Sequence, residues 1–163
     1  MKSYTDIPPL LHLSRYLQKN GEKMATAESC TGGLLAQLIT NIPGSSLWYE
    51  GGLITYNSQA KTSLLGVDPS LIAQYGVVSC EVAEAMAKGA AHQLGTDLAI
   101  STTGVAGPHR DPNDKAVGTV CIAWYYHGSI TSKELYFTGS RSNIRMNASI
   151  SLFKHIWQYI ISQ

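Results

Sequence analysis

Thr26-Ala27-Glu28-Ser29-Cys30-Thr31-Gly32-Gly33 sets a carboxyl, a hydroxyl and a thiol beside two glycines, between a short β-like run and an amphipathic helix. A hydroxyl there stands at a strand end, next to the free N–H groups that open a helix. Such a place holds an anion or stabilises an oxyanion, and the chemistry it suits is acyl transfer. Ser29 is a weak nucleophile unless a base lies within hydrogen-bond reach. Its plain alternative is an N-cap for a helix beginning near Thr31. Cys30 is the rival nucleophile, but its competence needs exposure and a lowered pKa, and a buried, inert cysteine is the commoner case. Gly32 and Gly33 would let a substrate approach the backbone. The N–H groups from Cys30 through Thr31 and Gly32 to Gly33 are the candidate oxyanion donors.

The base must come from elsewhere. No histidine lies in a comparable polar cluster, but Lys61 does, in Thr55-Tyr56-Asn57-Ser58-Gln59-Ala60-Lys61. A lysine near a helix start is electrostatically misplaced. That field, together with burial, would lower its pKa, as a Ser–Lys dyad requires. An unperturbed lysine leaves roughly one neutral amine in two thousand at pH 7, so the depression must be large. A surface lysine is the alternative. Tyr56 would donate to the dyad or to substrate, or fill the core. Thr103 and Gly104, in Thr102-Thr103-Gly104-Val105-Ala106-Gly107-Pro108, follow a buried strand where α/β sheets commonly bind ligands. Arg141 and Arg145 share one helix face and would grip a phosphate, or else form a solvated basic face.

The elements that must position these residues follow from periodicity. Asp6-Ile7-Pro8-Pro9 opens a helix, with Leu10, Leu13, Tyr16 and Leu17 inward and Asn20-Gly21 as its stop. Lys23 to Ala27 is a strand. Leu34, Leu35, Leu38 and Ile39 face the core from the next helix. Gly51 to Tyr56 reads as a strand, Ser58 to Leu65 as a helix capped by Asn57, and Asp68-Pro69 opens a short helix ending near Gly76. Ser79 caps a longer, alanine-rich helix that closes at Gly95 and is suited to close packing. Leu98 to Thr102 is a buried strand and Gly104 to Ala116 a loop. Val117 to Tyr126 and Ile130 to Phe137 form a hairpin around His127-Gly128, and Arg141 to Ile161 is the closing helix. Interspersed helices and strands predict an α/β fold: one layered domain over residues 1–163 with a mixed sheet. Periodicity does not give the strand order.

Composition narrows the function. The 163 residues carry a net charge of +1, so nothing favours broad attraction to nucleic acid or to an acidic membrane. Charged residues make up only 14%, which suits a self-association surface. Three scattered cysteines fit a reducing cytoplasm rather than a disulfide framework. No histidine pair has metal-ligand spacing, and no apolar run reaches membrane-spanning length.

Several motifs share a joint order and spacing. They are Ala27 to Gly33, Pro43-Gly44-Ser45-Ser46, Gly51 to Asn57 with Lys61, Leu64 to Val67 and Gly76 to Ser79. Thr103 to Pro108, Val117 to Val120, and Phe137 to Arg141 with Arg145 complete the set. In these the chain resembles the C-terminal domain family of the competence-damage protein CinA, whose stand-alone members act as nicotinamide-nucleotide amidohydrolases. The resemblance implies a three-layer α/β domain, often dimeric, and this chain looks like the stand-alone form. It implies hydrolysis of the carboxamide of nicotinamide mononucleotide, with Ser29 as nucleophile, Lys61 as base, and no metal or cofactor. The working expectation is a cytoplasmic homodimer that holds the nucleotide phosphate with Arg141, Arg145, Thr103 and Gly104. The alternatives are an amidase for another small amide and a non-catalytic pyridine-nucleotide-binding module. One segment departs from the family pattern. Where family members carry more glycines and then Lys-Pro-Val-Gly-Thr, this chain reads His109-Arg110-Asp111-Pro112-Asn113-Asp114-Lys115-Ala116.

Overall fold

Helix α1 (Pro8–Asn20) starts from Ile7 and stops where Gly21 turns left-handed. The computed structural model describes residues 7–163, so Asp6, expected at this helix start, lies outside the described residues. The chain continues through β1 (Met24–Glu28), α2 (Leu34–Thr40), a 3-10 turn (Ser45–Leu47), β2 (Tyr49–Ile54), α3 (Ser58–Leu65) and α4 (Pro69–Tyr75). It ends with α5 (Cys80–Leu94), β3 (Leu98–Gly104), β4 (Thr119–Tyr126), β5 (Ser129–Tyr136) and α6 (Arg141–Ile161).

The strands form one sheet in the order β2-β1-β3-β4-β5. β1 pairs parallel with both β2 and β3, and β4 and β5 run antiparallel. The sheet is therefore mixed, as expected. Its two faces differ in side-chain size. Met24, Leu98, Ile100, Val120, Ile122 and Trp124 point to the layer of α1, α2 and α6. Ala25, Ala27, Ala99, Cys121 and Ala123 point to the layer containing α5. Small residues on both surfaces bring α5 close to the sheet. Ser101 Oγ donates to the Ala83 carbonyl at 2.6 Å, and a Cβ on Gly89 would run into the Leu65 carbonyl of α3. The close packing foreseen from the alanine content is met here.

The caps are local and match their sequence signals. Ser79 accepts from Val82 N, Asn57 from Ala60 N and Asp68 from Ser70 N. Ser140 and Asn143 form a reciprocal capping box at α6. The hairpin turns at His127 (φ 46) and Gly128 (φ 87), the paired positive angles of a two-residue turn that matches strand twist.

Several boundaries shift, among them three set by the local backbone. α2 begins at Leu34 rather than near Thr31, because Gly32 (φ 55) and Gly33 (φ 98) are left-handed and cannot continue a right-handed helix. Ser29 is therefore not an N-cap. β2 begins at Tyr49 and ends at Ile54, leaving Thr55 and Tyr56 free to turn toward α3. β4 begins at Thr119 because Gly118 turns at φ 98, where a Cβ would meet the Phe137 carbonyl.

Candidate active site

Strands β2, β1 and β3 are parallel, so their C-terminal ends open on one edge of the sheet, with Glu28 flanked by Ile54 and Thr102. Ser29 is the first residue past β1. Its N–H donates to the Thr102 carbonyl at 3.0 Å, which extends the pairing by one step and fixes the serine backbone. The loop beyond it is tied down by Glu28, a buried carboxylate. Glu28 Oε2 accepts from Thr31 Oγ1 (2.7 Å), Gly33 N (3.0 Å) and Leu35 N (3.0 Å), and Oε1 accepts from Ala36 N (2.9 Å). A carboxylate here satisfies amides that a helix start leaves unpaired and suits the positive end of the helix dipole. Thr31 spends its one hydroxyl proton on Glu28, so Thr102 Oγ1 is the donor in the 2.8 Å contact between the two threonines. Among the described residues Glu28 pairs with neither Lys61 nor an arginine.

Lys61, on the first turns of α3, is fully buried. Its Nζ donates to Ser29 Oγ at 2.9 Å and to the Thr55 carbonyl at 2.8 Å. Among the described residues no carboxylate pairs with it. Burial without a counter-charge penalises the ammonium and lowers its pKa from 10.5 to about 8. A surface lysine is thereby ruled out. Ser29 itself is buried, with its Oγ 3.5 Å from the Tyr56 carbonyl. Cys30 is also buried, and burial raises its thiol to about 11. The neighbouring serine thus has a base in reach, while the cysteine is held as a thiol.

A cleft of about 190 Å³ opens above Ser29 and Cys30, walled by Tyr56, Arg141 and the loop after β3. Tyr56 is neither in the core nor bonded through its hydroxyl to the dyad. It is 61% exposed, and its hydroxyl accepts from Arg141 Nη2 at 2.9 Å. Arg141 Nη1 also donates to the Gly107 carbonyl. Arg145, one turn on, is not part of the cleft wall. Its Nε donates to the Cys30 carbonyl (3.0 Å) and its Nη2 to the Thr31 carbonyl (2.6 Å). The expected arginine pair therefore splits: one guanidinium faces the cleft and the other clamps the serine loop.

The glycines also acquire different reasons. Gly32 N–H donates to the Ser29 carbonyl (3.1 Å) and Gly33 N–H to Glu28, so two of the four expected oxyanion donors are already engaged. Cys30 N–H makes no hydrogen bond to an oxygen of the described residues, and Cys30 lines the cleft. Thr31 N–H is likewise free of such a bond, but Thr31 is fully buried. Gly104 lacks a side chain because β4 lies against it: a Cβ would sit 2.8 Å from the Thr119 carbonyl. Thr103 lines the cleft, yet its hydroxyl donates to the Val77 carbonyl at 2.8 Å. Arg110 also lines the cleft and pairs with Asp114. No group of three metal-binding side chains forms among the described residues, and none of their helices is long and apolar enough to cross a membrane.

A parallel sheet edge carrying a buried Ser–Lys contact beneath a cleft defines an α/β protein with a polar site at the carboxyl ends of its strands. The chain belongs to the CinA C-terminal domain family, whose model matches residues 10–160. It is 44% identical over 140 residues to a putative competence-damage inducible protein of Moorella thermoacetica, covering 86% of this chain and 34% of that one. It is 45% identical over 139 residues to a CinA-like protein of Geobacter sulfurreducens, covering 85% and 34%. The chain thus spans about a third of the length of these relatives. A CinA superfamily protein of Klebsiella pneumoniae superposes with a TM-score of 0.93 at 27% identity, covering 99% of this chain and 100% of that one. One from Escherichia coli superposes at 0.92 and 29%, covering 96% and 90%.

Proposed function

We propose that this chain is an amidohydrolase that converts nicotinamide mononucleotide to nicotinic acid mononucleotide and ammonia. The observation that carries the reading is the 2.9 Å contact between Lys61 Nζ and Ser29 Oγ at the floor of the cleft, with the lysine buried and unpaired. The choice of substrate is supported by the family membership and by a guanidinium, Arg141, at the cleft wall.

In this reading neutral Lys61 takes the Ser29 proton as Oγ bonds to the carboxamide carbon. The carbonyl oxygen becomes an oxyanion and accepts from Cys30 N–H. The Lys61 ammonium returns its proton to the departing nitrogen, the C–N bond breaks, and ammonia leaves a nicotinyl ester on Ser29. Water then attacks that ester with Lys61 again as base, restoring the serine and releasing the acid. Thr55 supports the cycle through its carbonyl, which holds the amine in place in either charge state. Arg141 faces the phosphate. The low charged share and exposed Leu47, Ile54 and Tyr136 support a second copy of the chain as partner. The scattered free thiols support a cytoplasmic setting.

The test is ammonia release from nicotinamide mononucleotide by the purified protein, with Ser29→Ala in parallel. Release that disappears in the variant is expected. No release from the unaltered chain, or release that survives in Ser29→Ala, sinks the reading.

A further inference from the structure

The cleft wall carries a second guanidinium that the proposed chemistry does not use. Arg110 lies on the loop after β3 and lines the cleft together with Arg141, which comes from the start of α6. Only Nη1 of Arg110 is engaged: it donates to Asp114 Oδ1 at 3.0 Å and to the Asp114 carbonyl at 3.3 Å. Its Nη2 and Nε make no hydrogen bond among the described residues. Arg141 likewise has donors to spare beyond Gly107 and Tyr56.

We propose that Arg110 is a specificity residue, parked on Asp114 in the empty cleft, that swings to join Arg141 in clamping a phosphate monoester. The inference rests on the nucleotide reading given above. A phosphate monoester is largely a dianion above pH 6 and calls for two cations. Arg141 supplies one charge, Arg110 the other. The parking contact is weak enough to yield, because Arg110 and Asp114 are 59% and 83% exposed and an ion pair that open to solvent is worth little. Charge-assisted, bidentate guanidinium–phosphate bonds are among the strongest polar contacts available. The same loop brings two more titratable groups to this wall, His109 and Asp111. Asp111 Oδ1 is turned into the loop, where it accepts from Lys115 N–H, so that oxygen is committed to the loop's own backbone. His109 adds no negative charge. The substrate class that this wall selects is a mononucleotide with a terminal phosphate, over the corresponding nucleoside.

The experiment is calorimetric binding of two acids that the enzyme cannot turn over, its product nicotinic acid mononucleotide and that product's phosphate-free analogue, nicotinic acid riboside. It compares the unaltered chain with Arg110→Gln and Asp114→Asn. Both sites are on an exposed loop, and asparagine tolerates the left-handed φ of 61 at position 114. The ratio of nucleotide to riboside affinity should fall about tenfold in Arg110→Gln and rise about two- to threefold in Asp114→Asn. A ratio in Arg110→Gln within twofold of the unaltered chain overturns the clamp while leaving the nucleotide reading intact. Failure of the unaltered chain to bind either acid overturns that reading, and the clamp with it.

Discussion

At the floor of the cleft Ser29, Lys61, Glu28 and Thr31 are buried, and their polar atoms meet at fixed distances of 2.7–3.0 Å. At the rim Tyr56, Arg110 and Arg141 are exposed and keep donors in reserve. The floor was assembled at the cost of burying a lysine without a counter-charge, and its geometry is over-determined by neighbouring strands. The rim is held by single contacts to loops. Reacting atoms belong where nothing can move, and recognition belongs where side chains can still adapt. Changes at the floor should therefore appear in kcat, and changes at the rim in KM.

Ser29→Ala should break the floor hardest. It removes the atom proposed to attack, so kcat should fall by about 10⁴-fold or more while the melting temperature moves only a few degrees. Steady-state kinetics beside thermal unfolding checks both halves. A variant that melts far lower would leave the loss of turnover as a folding defect.

Lys61→Met should cost about 10³–10⁴ in kcat, and its stability should respond to pH in one direction. Holding the amine at a pKa of about 8 instead of 10.5 costs the folded state on the order of 3 kcal/mol at neutral pH. Methionine removes that cost but leaves the Thr55 carbonyl without its donor, about 1–3 kcal/mol in the other direction. The net change at pH 7 should be small. Between pH 8 and 10.5 the unfolded chain keeps a proton that folded Lys61 has lost, so the lysine protein gains stability as pH rises through that window. Lys61→Met gains nothing from this group. Urea unfolding at pH 7.5 and pH 10 should show the balance moving toward the unaltered chain. If both respond identically, Lys61 does not titrate as its burial demands.

The same depressed pKa fixes the pH profile. Only the neutral amine accepts the serine proton, so kcat/KM should fall about tenfold per unit below pH 8 and level off above it. A profile flat from pH 6.5 to 9.5 would remove Lys61 from the role of base.

Much of this arrangement was legible in the sequence, and the parts that were not share one cause. α3, α5 and α6 were read nearly to the residue because their caps are local: Asn57, Ser79 and Ser140 each bond an amide three positions on. α2 was misplaced because its capping acid, Glu28, lies at the end of the preceding strand and reaches forward to Ala36 across a glycine turn that no helical periodicity encodes. Ser29 and Lys61 are 32 residues apart. The sequence marked both as polar clusters at strand ends, and the adjacency of β1 and β2 in the sheet brought them together. Arg141 and Arg145 show the limit of spacing. Four residues apart guarantees a shared helix face, but which loop each meets depends on where that face docks.

Those two arginines set the boundary between floor and rim. Arg145→Met should lower kcat about 10- to 100-fold with little change in KM, because it frees the Cys30 and Thr31 carbonyls. The Cys30 N–H, the proposed oxyanion donor, sits on the same residue as the first of those carbonyls, so losing the clamp loosens the segment that aims it. Arg141→Gln should instead raise KM for nicotinamide mononucleotide about tenfold at nearly constant kcat. The same kinetic signature from both variants would erase the division between floor and rim.

Cys30→Ala should produce the smallest effect, although Cys30 lies beside the nucleophile. Its thiol is pushed up to about 11 by burial, so at pH 7.5 fewer than about one molecule in a thousand carries the thiolate. What Cys30 offers the proposed reaction is its backbone N–H, which alanine keeps. The lost sulfur leaves a small apolar gap among buried neighbours, worth about 1 kcal/mol of stability. Turnover should stay within threefold, and alkylation by iodoacetamide should be slow in the folded protein and fast in urea. A hundredfold loss in Cys30→Ala, with Ser29→Ala still active, would mean that sulfur performs the attack. The 2.9 Å Ser29–Lys61 contact would then be a structural hydrogen bond that only looks like a dyad.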